Sequence, residues 1–101
     1  FVNPPYNREL RQWVRKARIE AAAGRASPVI GLIPARPDTT WWHADVAGHA
    51  DVFMLRGRLR FGGKDGGAAP FPSALALWGG NQEHRDGLRA AFPDAWYIPA
   101  S

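Results

Sequence analysis

Val29-Ile30-Gly31-Leu32-Ile33, closed by Pro34, is the stretch on which the fold turns. Five apolar residues in a row, with no polar alternation, read as a short strand buried on both faces. A strand of that kind needs helices over both sides of its sheet, which points to an α/β architecture. Working back, residues 7–23 read as a helix, because Leu10, Trp13, Val14, Ala17 and Ala21 fall at helical spacing and form one apolar stripe. Asn7 suits its N-cap, Glu9 its positive end, and Gly24 its stop. Working forward, Pro34-Ala35-Arg36-Pro37 is a loop at the strand's carboxyl end. Asp38, Thr39 or Thr40 then caps a short helix reaching about Ala47.

Residues 51–61 read as a second strand with a two-residue period. Phe53, Leu55, Leu59 and Phe61 share one face, and Arg56, Arg58 and Arg60 continue the face begun by Val52 and Met54. The glycines of residues 62–67 make a turn or loop, and Ala69-Pro70-Phe71-Pro72-Ser73 is a stiff link. Residues 74–78 are another apolar strand, followed by a helix over 82–92 and a short strand at Trp96-Tyr97-Ile98. This order is that of the second half of an open α/β sheet, with the later strands forming an antiparallel hairpin at the edge. Ligands of such sheets sit beyond the carboxyl ends of the strands, where Asn3 and Arg36 both fall.

The chain has 101 residues, enough for one domain and one modest core. It has no cysteine, which excludes disulfides, thiolate metal sites and cysteine nucleophiles and suits a reducing, cytoplasmic setting. No apolar run approaches the roughly 20 residues of a membrane span. The chain opens on Phe1 within an apolar stretch, so it reads as a single-domain fragment whose preceding strand lies upstream.

The net charge of +4 is unevenly placed. Residues 1–36 carry seven bases against two acids, and residues 52–64 carry four bases and no acid. Residues 37–51 hold three acids and no base. Eleven of the thirteen bases are Arg, whose fork pairs with phosphate in a two-pronged geometry, so a polyanionic partner is expected, nucleic acid first. Arg8, Arg11, Arg15 and Arg18 line the polar side of the first helix. That stripe suits either a phosphate backbone or the solvated side of a helix packed on a sheet.

Asn3-Pro4-Pro5-Tyr6 carries a chemistry of its own. The exocyclic amine of adenine is a poor nucleophile, since its lone pair is delocalised into the ring. Two acceptors that take its two N–H groups turn the lone pair toward an electrophilic methyl. The Asn3 side-chain oxygen and the Pro4 carbonyl can be those acceptors. The prolines stiffen the backbone and remove competing donors, and Tyr6 offers a face for an extruded base. The gain is alignment and electrostatics, with no metal required. The same four residues also suit a rigid strand-to-helix turn.

Several motifs in one order resemble a known family: Asn3-Pro-Pro-Tyr6, Trp13, Leu32-Ile-Pro-Ala-Arg36, Asp38-Thr39, Trp41-Trp42-His43, Gly57-Arg-Leu-Arg-Phe-Gly62 and Ala69-Pro-Phe-Pro-Ser73. Together, over about residues 1–78, they are similar to the phage-type DNA adenine N6-methyltransferases. The resemblance implies methyl transfer from S-adenosylmethionine to adenine in DNA, on the C-terminal half of a Rossmann-like methyltransferase fold. Asn3, Pro4 and Tyr6 take the roles above, Pro5 holds the turn, and Asn3 marks the methyl-donor end of the cofactor site. Arg36, Arg56, Arg58 and Arg60 are the expected DNA contacts. Pro37 stands where relatives are expected to carry Thr or Ser. The chain has no glycine-rich first loop and no acid to hold the ribose, so the rest of the cofactor pocket is expected upstream.

His43, His49 and His84 lack metal-ligand spacing, and Ser73 has no evident base partner. Of Trp41 and Trp42, adjacent on a helix, one belongs to the core and the other is free to line the site. Two other functions stay open. One is a non-catalytic DNA-binding remnant. The other is methylation of a protein glutamine amide, whose planar N–H pair mimics the adenine amine.

Overall fold

The computed structural model describes residues 9–25, 27–57 and 72–100. Among them are three helices and a four-stranded antiparallel sheet. Helix α1, Leu10–Ala22, buries Leu10, Val14, Ala17 and Ala21, the stripe its spacing predicts. It stops at Gly24, whose φ of +75° only glycine adopts readily. The Gly24 N–H donates to the Ala21 carbonyl at 3.1 Å and the Arg25 N–H to the Glu20 carbonyl at 3.0 Å, closing the last turn. The expected Asn7 cap lies outside the described residues, and the backbone at Glu9 is already helical.

Strand β1, Val29–Pro34, follows, then helix α2, Thr40–Asp45, and strand β2, Ala50–Met54. Thr39 is the residue that caps α2: its Oγ1 accepts the Trp42 N–H at 3.4 Å. Strand β3 is Ser73–Trp78, helix α3 Gln82–Ala91 and strand β4 Trp96–Ile98. A reciprocal cap starts α3, with the His84 N–H on Asn81 Oδ1 at 2.9 Å and the Asn81 N–H on His84 Nδ1 at 3.1 Å. His84 is thereby a capping residue.

The strand order is β1-β3-β2-β4, and every neighbouring pair is antiparallel. Since β1 and β2 both run against β3, they are parallel to each other and joined by the crossover through α2. The later strands do pair antiparallel, but the β2–β3 pair lies inside the four-stranded sheet and not at its edge. The reason is burial. All six residues of β3 are buried, so both its faces and both its edges need cover, whereas β4 has three residues, none buried, and takes the outer position. The paired part of β2 ends at Met54. Arg56 lies beyond it, and Arg58 and Arg60 are outside the described residues.

Two cores lie on opposite faces of the sheet. On one, α1 and α2 pack Val14, Ala17, Trp42 and Val46 against Ile33, Val52, Ala74, Ala76 and Trp78. On the other, Leu32, Phe53 and Leu75 meet Leu88 of α3 and Tyr97 of β4. No helix among the described residues is long and apolar enough to cross a membrane.

Candidate nucleic-acid interface

Because β1 and β2 are parallel, their carboxyl ends open on the same side of the molecule, with the start of β3 between them. Two backbone bonds tie this end together: Ala35 N–H to the Pro72 carbonyl at 2.8 Å, and Leu55 N–H to the Ser73 carbonyl at 3.1 Å. Arg36 and Arg56 follow the two strand ends, on strands roughly 10 Å apart, two sheet spacings. Arg36 sits in a turn whose geometry is local. Its carbonyl accepts both the Thr39 hydroxyl, at 2.6 Å, and the Thr39 N–H, at 3.1 Å. The Arg56 side chain is 81% exposed, and its Nη1 lies 3.9 Å from Asp94 Oδ2, a loose surface pairing that leaves the guanidinium open to water. The structure thus brings two of the expected DNA-contact arginines to one end of the sheet. Asn3, Pro4, Pro5 and Tyr6, like Arg58 and Arg60, lie outside the described residues.

Beside this end, α1 and the segment from Asp38 into α2 enclose an open groove of about 570 Å³. Arg11 and Arg15 form the α1 wall, and Asp38, Thr40 and Trp41 the other. Its floor is anchored by Arg18, whose Nε donates to Asp45 Oδ1 at 2.6 Å. Arg18 is therefore a half-buried tie between helices, a departure from its expected place on the solvated stripe. The same α2 end is pinned from below, since the buried Trp78 indole N–H donates to the Asp45 carbonyl at 2.8 Å. The pair Trp41 and Trp42 divides as expected: Trp42 is core, and Trp41, half-buried, lines the groove with its ring 5.8 Å from that of Trp42 in an edge-on contact.

On the opposite face a second polar cluster is structural. Asp51, buried on β2, accepts the Tyr97 hydroxyl at 2.9 Å and the Ala100 N–H at 3.1 Å, with Arg85 Nη1 3.5 Å away. Burial raises the Tyr97 pKa above its ordinary value, and the hydrogen bond to Asp51 adds to the rise. Tyr97 also stacks on Phe53 at 4.9 Å and lies under the Arg89 guanidinium at 5.2 Å. Nothing in the sequence paired Asp51 with Tyr97, 46 positions away. The one available signal was an acid inside an otherwise apolar strand, which calls for a partner.

No group of His, Asp and Glu among the described residues has the makings of a metal site. The connection from β1 to α2 carries Pro37 and no glycine, and Asp45 is paired with Arg18. Compared with known proteins, the chain matches no family model, no curated protein and no solved structure.

Proposed function

We propose that this chain carries the base-orienting half of a Rossmann-like DNA adenine N6-methyltransferase, with S-adenosylmethionine held chiefly by residues outside those described. One observation carries the reading. Helix α1 starts beside the carboxyl end of β1, the end of the sheet where α/β proteins bind ligands, and along the chain Asn3-Pro4-Pro5-Tyr6 comes shortly before that helix. β1 and β2 run in the same direction on either side of the antiparallel β3 and are joined by a crossover through α2, an arrangement compatible with this reading. Arg36 and Arg56 at this end supply positive charge for a DNA backbone.

In this reading the chain's own residues select and aim the base. The Asn3 amide oxygen and the Pro4 carbonyl accept the two N–H groups of the adenine amine, which frees its lone pair from the ring plane. Tyr6 stacks on the extruded base, and Pro5 keeps the segment stiff. Joined to a cofactor-binding half of phage type, the chain is expected to form N6-methyladenine in duplex DNA, read by mass spectrometry. Asn3→Ala then lowers turnover by about 100-fold or more while DNA affinity changes far less. Equal losses in turnover and affinity would overturn the catalytic assignment.

A second reading, a DNA-binding module without catalysis, is favoured by the exposed Arg11 and Arg15 on the α1 wall of the groove. It predicts DNA affinity that falls with salt and is indifferent to Asn3→Ala.

A further inference from the structure

We propose that the groove between α1 and α2 binds one unpaired nucleotide of a single-stranded DNA segment, its base against Trp41 and its phosphates on Arg11 and Arg15. The proposal deepens the DNA-partner reading above, and it stands or falls without methyl transfer.

The groove has the dimensions of a small-ligand site, about 570 Å³ against a usual range of roughly 300–1,000 Å³. Its α1 wall is cationic and available. Arg11 and Arg15 are exposed, one helical turn apart, and make no hydrogen bond or ion pair with another described residue. Two forked donors on one edge are suited to consecutive phosphates of one strand. Trp41 on the other wall is held by its edge-on contact with the buried Trp42, so stacking a base on it orders little that is not already ordered. The floor is equally fixed, through the Arg18–Asp45 pair.

Charge on the second wall decides between one strand and two. Asp38 is exposed there, and Asp45 lies behind it, neutralised by Arg18. A carboxylate on the rim repels a second phosphate backbone but tolerates the donor edge of a base. The groove is thus complementary to an anion on the α1 side only. That asymmetry fits a single strand with its base turned inward.

The test measures binding of a fluorescein-labelled 12-nucleotide single-stranded DNA, and of the same sequence as duplex, to the full chain by anisotropy across a salt series without cofactor. The single strand is expected to bind at least about tenfold more tightly than the duplex. The double variant Arg11→Gln, Arg15→Gln is expected to weaken single-strand binding and to lower the slope of log affinity against log salt by about 1.4, two phosphates' worth. Trp41→Ala weakens binding by about tenfold with the slope unchanged, and Trp41→Phe retains most of the affinity. Lys16→Gln, a charge lost from α1 outside the groove, changes affinity by less than about threefold. Circular dichroism establishes that each variant is folded. Duplex bound as tightly as single strand, no binding at all, or unchanged affinity in the folded arginine double variant overturns the proposal. Failure of methylation in the joined enzyme leaves these outcomes untouched.

Discussion

The two faces of the sheet are held by different means. Against α1 and α2 the sheet presents small residues, Gly31, Ala74 and Ala76, and the helices come close enough for Trp13 and Trp78 to meet edge-on at 6.1 Å. A methyl group on Gly31 would lie 2.6 Å from the Trp13 ring, inside contact distance. Against α3 no residue of the helix is buried. There the cover consists of Leu88, the Phe53–Tyr97 stack and the hydrogen bonds gathered by Asp51. Shape holds the first face, and a polar network with one aromatic stack holds the second. The face held by shape also carries the proposed ligand groove, whose floor therefore has little freedom to move.

This contrast is open to direct attack. The largest loss is expected from Trp78→Ala, which removes the largest fully buried side chain among the described residues and leaves the Asp45 carbonyl without its indole donor. A cost of about 3–5 kcal/mol in urea denaturation follows, a large share of the stability of a domain this size. A loss near that of an exposed substitution would remove the claim that shape dominates this face. Next comes Gly31→Ala, at about 1–3 kcal/mol from overpacking. The same change in a Trp13→Leu background is expected to cost less. Additive losses would show that the Trp13 contact is not the cause.

The smallest effect belongs to the α3 face. Tyr97→Phe breaks one hydrogen bond to Asp51 but leaves Ala100 and Arg85 in place, for a loss of about 1–2 kcal/mol at neutral pH. The sign of its pH dependence follows from the raised Tyr97 pKa. The fold holds the protonated phenol, so this contribution is complete below the unfolded value of roughly 10 and is lost as pH climbs through the higher folded value. Wild type should therefore lose stability relative to Tyr97→Phe between neutral and strongly alkaline pH. Parallel curves for the two would break the link between Tyr97 and Asp51.

Much of this could be read along the chain. The apolar stripe of α1 follows the helical period, the unbroken apolar run of β1 is a local pattern, and the stop at Gly24 follows from glycine's access to positive φ. The groove was only half legible. Its basic wall was visible as Arg11 and Arg15, yet the same stripe included Arg18, which turns inward to Asp45, 27 positions away. Nothing in a helical period separates an arginine that meets water from one that meets a carboxylate on another element. The split between Trp41 and Trp42 was foreseeable in kind, but choosing between them needed the packing direction of a six-residue helix.

What the sequence determined by itself was the set of elements, the burial of β1 on both sides, and the placement of positive charge around an Asn-Pro-Pro-Tyr segment. These depend on residues within a few positions of one another, where backbone geometry sets the spacing. Only the tertiary structure decided that β3 enters between β1 and β2, that Arg18 and Asp45 close the groove floor, and that Tyr97 finds Asp51. Each of these joins parts of the chain far apart in number. Which distant partners meet depends on how the whole core buries its apolar faces at once, and no local pattern records that.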